Sequence, residues 1–142
     1  MAFTGPMEDR LAIRELHDSY GDAVFRADGD EWAATWTEDG VWSLMGNDIQ
    51  GRDRILATWR QLMGGFSLAA FFASPGDIRV DGDRATGRCY VTEILRETSG
   101  NVRRIIGAYE DTLVKQGGRW LFARRNYRIL QDEQTPAGAA KP

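Results

Sequence analysis

Tyr20 and His17 are the N-terminal side chains whose types and spacing suggest chemistry. Three positions apart on a helix, they lie about one turn from each other on nearly the same face. A phenol there can donate a hydrogen bond to an oxyanion developing on a bound substrate. His17 is the only histidine of the chain, and imidazole is the side chain that titrates near neutrality without perturbation. It could relay a proton through Tyr20. Far along the chain, Glu110 stands inside a run that reads as a strand. A carboxyl buried there loses hydration, its pKa rises, and it can serve as general acid, general base or neutral donor. A tyrosine that polarises an oxygen and a carboxyl that moves a proton make a proton-transfer site. Plainer roles compete with each: a core tyrosine bonded to backbone, a half-exposed helix histidine, a glutamate satisfied by Asn126 or Arg128.

Helices come first in the chain that positions these groups. Pro6 opens a helical pattern. Leu11, Ile13, Leu16, Tyr20, Ala23, Val24 and Ala27 recur at the helical period and predict a helix from about Met7 to Ala27, ended by Gly29. A short second helix over about Asp30 to Thr37 places Trp32 and Trp36 on one face. Asp39-Gly40 reads as a turn, Val41 to Met45 as a strand, and Asp48 to Gln50 as a short returning segment. A third helix runs from about Asp53 to Met63 and stops at Gly64-Gly65.

Strands follow. Ser67 to Ala73 is apolar, Ser74-Pro75-Gly76 breaks it with a bulge or kink, and Ile78 to Val80 continues it. Arg84 to Glu97, Val102 to Lys115 and Arg119 to Leu130 are long strands joined by turns, an antiparallel meander. The tail Gln134 to Pro142 is rich in Pro, Ala and Gly and is expected to be disordered. Helices followed by a curved antiparallel (mixed) sheet define an α+β chain in two layers, with room for a pocket between them.

Turn lengths give a strand register. A compact turn at Gln116 to Gly118 sets Asp111 opposite Arg125 and Tyr109 opposite Tyr127. A similarly compact loop at Thr98 to Asn101 sets Arg88 opposite Asp111 and Tyr90 opposite Tyr109. The alternate face carries small residues, Cys89 among them, and is assigned to the concave side with Glu110, Asn126 and Arg128. A slip of one residue would exchange the two faces. On this assignment the pocket is lined by Tyr20, Phe25, Trp42, Phe72, Cys89, Glu110, Asn126 and Arg128. Cys89 on such a face is expected to pack rather than to act as a nucleophile. The tyrosines and the Arg88–Asp111–Arg125 set fall on the outer face, where they read as an interface network.

Composition narrows the function. The chain has 142 residues, suiting one compact domain with an ordered core over about 7–131. Net charge is −3 and the pI about 5.2, which disfavours nucleic acid as a partner. One cysteine excludes an internal disulfide and suits a reducing cytoplasm. No signal peptide and no membrane span are read. One histidine and one cysteine cannot build a zinc site unaided, and no phosphate-loop, dinucleotide or nucleophile-elbow motif is present, so no metal or cofactor is expected.

The stretches "IRELHDSYGDAVFRADGDEWAATWTEDGVW", "DGDRATGRCYV" and "GAYEDTLVKQGGRWLFARR", with Gly51 opening the third helix, resemble the SnoaL-like branch of the NTF2-like superfamily. The resemblance implies a cone-shaped fold enclosing a pocket, and relatives include polyketide cyclases, scytalone-type dehydratases, a hexachlorocyclohexane dehydrochlorinase and ketosteroid isomerases. Dehydratases and dehydrochlorinases of the group use an Asp–His dyad. Here its places hold Phe25 and Ala73, with Phe72 beside the latter, and none of these transfers a proton. The strand base of the ketosteroid isomerases matches Leu44, while their oxyanion-hole tyrosine matches Tyr20 and the partner acid falls near Glu110 or Asp111. The expected function is a cofactor-free dehydratase, isomerase or cyclase acting on a small hydrophobic, cyclic carbonyl or hydroxyl compound. The alternatives are a non-catalytic pocket protein and a subunit resembling the small subunit of ring-hydroxylating dioxygenases. Relatives are dimers or trimers, so a homodimer or homotrimer is expected.

Overall fold

The computed structural model describes residues 1–138. Its elements are β1 (Phe3–Thr4), α1 (Met7–Phe25), α2 (Gly29–Ala33), β2 (Trp36–Leu44), β3 (Asn47–Gln50), α3 (Arg52–Met63), β4 (Phe66–Asp81), β5 (Arg84–Glu97), β6 (Val102–Gln116) and β7 (Arg119–Thr135). The strands form one mixed sheet in the order β1-β4-β5-β6-β7-β2-β3. β1 pairs in parallel with β4 and β2 in parallel with β7, while the long strands β4 to β7 run antiparallel. This is the expected α+β arrangement, with α1 packed on β4 and β7. No helix of the described residues is long and apolar enough to cross a membrane.

Element ends differ from expectation for local reasons. α1 stops at Phe25 because Ala27 takes a left-handed conformation, φ 52°. The Asp28 carboxylate then accepts from the Glu31 backbone N–H at 3.1 Å and starts α2. α2 ends early because Trp36 is claimed by the sheet, where it pairs with Phe122. Trp32 and Trp36 therefore meet edge-on across 5.9 Å instead of sharing one helix face. β1 carried no sequence signal. β4 shifts register between Pro75 and Asp77, at the break expected there. β7 runs on to Thr135, so Gln134 and Thr135 are strand residues paired with Arg103 and Val102; the rest of the expected tail from Ala139 lies outside the described residues.

The register decides which side chains face the helices. Between β6 and β7 it is as expected: Tyr109 opposes Tyr127, Glu110 opposes Asn126, and Asp111 opposes Arg125. Between β5 and β6 it is one residue away, and Cys89, not Tyr90, opposes Tyr109. The cause is the connecting loop. Glu97 N–H bonds Asn101 O at 2.8 Å, and Gly100 sits at φ 95°, closing a three-residue loop. With a side-chain period of two, that slip turns β6 and β7 over relative to the assignment. The inner face consequently carries Cys89 and Val91 of β5, Tyr109, Asp111 and Leu113 of β6, and Phe122 and Arg125 of β7, all buried. Glu110, Asn126 and Arg128 are exposed on the outer face.

Trp32 lies at the centre of the helix-side core. It stacks on Trp59 at 4.8 Å and meets Trp42 edge-on at 5.2 Å. Each such aromatic pair adds about 0.5–1.5 kcal/mol beyond its buried area. The cluster ties α2, α3 and β2 together and forms one wall of the cavity described next.

Candidate functional site

A cavity of about 230 Å³ lies between the helices and the inner sheet face. Its walls are mostly apolar, with Val24 of α1, Trp42 of β2, Trp59 of α3, Phe71 of β4 and Ile105 of β6 among them. Met45 and Leu62, both exposed, stand at its rim. Its polar groups are few: the tyrosines 20, 109 and 127, Glu93 and Arg103.

Glu93 is an inner-face residue of β5. It follows Ala85, Gly87, Cys89 and Val91 at alternate positions, so the pleat aims its carboxyl at the cavity. Tyr127 of β7 donates its hydroxyl to Glu93 Oε2 at 2.7 Å. Burial raises the Glu93 pKa above the usual carboxyl range; the Tyr127 hydrogen bond and the charges of Arg103 and Arg125 oppose that shift without cancelling it. Burial likewise raises the Tyr127 pKa, and the Glu93 charge adds to the rise, so Tyr127 remains a proton donor. Arg103, half-buried, is held from outside by Asp132 at 2.7 Å.

Tyr20 lines the same cavity from α1, and only 2% of it is exposed. Its ring is fixed by Trp32 and Phe71, both at 5.3 Å. Burial raises its pKa, partly offset by the charge of Arg125 and by the neighbouring Tyr109 hydroxyl. Beneath the tyrosines lies an ion pair with no exposure at either partner. Arg125 donates Nε to Asp111 Oδ1 at 2.8 Å and Nη2 to Oδ2 at 3.1 Å. Its guanidinium carbon sits 3.8 Å from the Tyr109 ring centre, 4.1 Å from Phe122 and 4.6 Å from Tyr20. Burial alone would lower the Arg125 pKa; the Asp111 carboxylate, with smaller contributions from Tyr20 and Tyr109, offsets this, and the net direction is upward. The pair expected on the outer surface is thus the buried support of the cavity tyrosines. Arg88 is not part of it: Arg88 lies near Asp77 on β4, with charged groups 3.8 Å apart.

The remaining sequence candidates divide. Trp42 lines the cavity. Glu110, Asn126 and Arg128 do not, because the loop-set register puts them on the opposite side of the sheet; Asn126 instead accepts from Arg124 at 2.8 Å. Cys89 is fully buried core, its thiol pushed up to about 11 by burial, and it packs beside the ion pair. Phe25 and Phe72 meet ring to ring at 5.3 Å and line a separate, more open groove. His17 borders that groove and not the cavity; it packs edge-on against Phe122 at 5.2 Å, and its Nδ1 has no hydrogen-bond partner among the described residues. Burial, then the charges of Arg125 and Arg14, hold its pKa well below the ordinary value, so His17 is neutral. Ala73 also lies in that groove.

Sequence reasoning missed Glu93, Tyr109 and Tyr127 as site residues. One signal was available: Glu93 is a charged residue at an inner position of a strand whose other inner positions are small or apolar. Among the described residues, no three His, Cys, Asp or Glu side chains converge as a metal site.

An α+β chain with helices against a curved mixed sheet, and a small apolar cavity carrying a carboxyl and several phenols, defines the class. A sequence model of the SnoaL-like domain matches residues 6–126, and the chain belongs to that family. Among solved structures, a proposed aromatic ring hydroxylase from Novosphingobium aromaticivorans is 26% identical, with a TM-score of 0.86, covering 93% of this chain and 96% of that one. A proposed scytalone dehydratase from the same species is also 26% identical, with a TM-score of 0.81 over 95% of this chain and 97% of its own. A hexachlorocyclohexane dehydrochlorinase superposes with a TM-score of 0.80 over 96% and 95% of the two chains at 17% identity, a likeness of fold alone. No curated protein matches the chain.

Proposed function

We propose that the cavity binds a small, largely apolar ring compound bearing a carbonyl or hydroxyl oxygen, and that Glu93 moves a proton on it. The observation that carries this is the Glu93 carboxyl, bonded by Tyr127 at 2.7 Å, on the wall of a mostly apolar cavity. A carboxyl with a raised pKa is a better base when ionised and keeps its proton nearer neutrality, as general acid–base work requires. In the ionised form Glu93 takes a proton from the carbon beside a carbonyl, and the electron pair shifts onto the oxygen. A tyrosine hydroxyl of the cavity, Tyr20 first, donates to that oxyanion. Returning the proton at another carbon gives isomerisation; loss of a β-hydroxyl, protonated as it leaves, gives dehydration. An engineered apolar cavity of about 150 Å³ accommodates benzene, so this volume suits one or two rings.

The test is a screen of one- and two-ring hydroxy-ketones and enones, followed by Glu93→Gln and Tyr127→Phe on any substrate found. Glu93→Gln should lower kcat/KM by about 10²–10⁴. Full activity in both variants would refute the assignment.

A second reading has its own observation. The family's dyad places hold Phe25 and Ala73, beside a groove rather than in the cavity. On that reading the protein is a binding module. Ring compounds would then raise the melting temperature without turnover; saturation at 100 times Kd adds about 2.7 kcal/mol.

A further inference from the structure

Tyr127 reaches Glu93 by lying across an intervening strand. Tyr127 is on β7 and Glu93 on β5, with β6 between them. At a strand spacing of about 4.8 Å the crossing covers roughly 9.5 Å. Beneath the ring is Gly107 of β6, whose register partners are Val91 and Ile129. A Cβ built on Gly107 would fall 2.7 Å from the Tyr127 hydroxyl oxygen and 2.8 Å from Cζ, and would collide with Cε1 as well. Carbon atoms in contact prefer about 3.5–4.0 Å, so the ring and a methyl group cannot share this place. The ring has little freedom to yield sideways, since Tyr109 packs against it at 4.7 Å. Gly107 does not have a positive φ; space, not backbone conformation, is what a side chain would violate.

We propose that Gly107 is a positioning residue: its missing side chain is what lets Tyr127 cross β6 and hold the Glu93 carboxyl at the cavity wall. In its catalytic consequence the proposal rests on Glu93 being the proton-moving group; in its geometry it does not. Any side chain at Gly107 lifts Tyr127 off Glu93 and leaves the carboxyl without its donor. The ionisable groups acting on Glu93 are Tyr127 and Arg125 from β7 and Arg103 from β6, with Tyr20 of α1 and Tyr109 of β6 also electrostatically coupled to it. Of the influences that favour its ionised form, the Tyr127 hydrogen bond is the largest. Losing it moves the Glu93 titration upward.

The experiment follows the Glu93 side-chain carboxyl by carbon NMR against pH in the wild type, Gly107→Ala, Tyr127→Phe and the double variant. The expected result is an upward shift of the same size in both single variants, and no further shift in the double. A wild-type titration in folded Gly107→Ala overturns the proposal. Urea unfolding gives a second decision, needed if Gly107→Ala alone fails to fold. Combined with Tyr127→Ala, which removes the ring, Gly107→Ala should be nearly neutral. If it costs as much there as beside an intact Tyr127, the strand irregularity at Ile106 and Gly107 demands the glycine and the proposal falls. Turnover separates the two claims: shifted titrations with unchanged kcat/KM would uphold the role of Gly107 while removing Glu93 from catalysis.

Discussion

Replacing Asp111 by asparagine keeps its shape and removes its charge, leaving Arg125 cationic where neither partner of the pair has any exposure. Uniform screening cannot rescue the guanidinium, because water does not reach it. Breaking one side of such a pair typically costs about 3–5 kcal/mol. Rings on Tyr109, Phe122 and Tyr20 recover part of that through their π faces, so a loss near the lower end, about 3 kcal/mol, is expected. Against a usual total of about 5–15 kcal/mol, that is a large fraction of the stability. For a chain of this length it lowers Tm by roughly 10 °C. Urea unfolding with a fixed m-value is the assay. The double variant Asp111→Leu with Arg125→Met removes both charges and should unfold within about 2 kcal/mol of the wild type. A loss below about 1 kcal/mol in Asp111→Asn would contradict a dry, unshared ion pair, since it would mean the guanidinium finds water or another acceptor.

Other outcomes follow from the same geometry. The folded-state pKa of His17 is depressed by burial, so the unfolded chain binds more protons below the ordinary histidine value. Its contribution is complete above about pH 6.5 and is lost as the pH falls toward the folded value, by up to about 1.4 kcal/mol per unit. The raised pKa of Glu93 acts in the opposite sense, its contribution being present in acid and lost as pH rises through the folded value. The comparison of wild type with His17→Gln therefore isolates the histidine; equal pH slopes in the two would contradict its burial. Glu110→Gln, on the outer face, should leave stability within about 0.5 kcal/mol and any turnover within error. Phe72, Tyr90, Ile106 and Leu130 are all more than two-fifths exposed, and Phe72 and Ile106 align across the sheet through Thr92. We expect a homodimer or homotrimer built on this surface. Light scattering reads it: Ile106→Lys should dissociate the assembly, and a monomeric wild type at micromolar concentration contradicts it.

The helices and strands were legible because their periods are strong. α1 repeats Ile13, Tyr20 and Val24 on one face, and the meander is marked by Gly82, Gly100 and the Gly117–Gly118 pair. The β6–β7 pairing at Asp111 and Arg125 was also legible, though for a compound reason. The two-residue turn closes at Gln116 and Arg119, and a register shift beyond Leu113 restores the expected partners. What was not legible was whether three or four residues loop between β5 and β6. That single residue decided which alternating faces of β6 and β7 became the cavity wall: it sent Glu110 outward and brought Tyr109 and Tyr127 in, while Glu93 already shared the assigned β5 face with Cys89. Trp36 was misplaced for a different reason. Its helical spacing from Trp32 is real, but pairing with Phe122 in the parallel ladder outweighs a short helix's weak cooperativity.

Ligands are expected to occupy the cavity of Glu93 and Tyr127. The most direct measurement is a crystal structure after soaking with a one- or two-ring ketone or phenol. The ring is expected between Trp42, Phe71 and Ile105, with its oxygen within hydrogen-bonding distance of Glu93, Tyr20 or Tyr127. Density for the ligand in the groove of His17, Phe25 and Phe72, with the cavity left as it is, would contradict it.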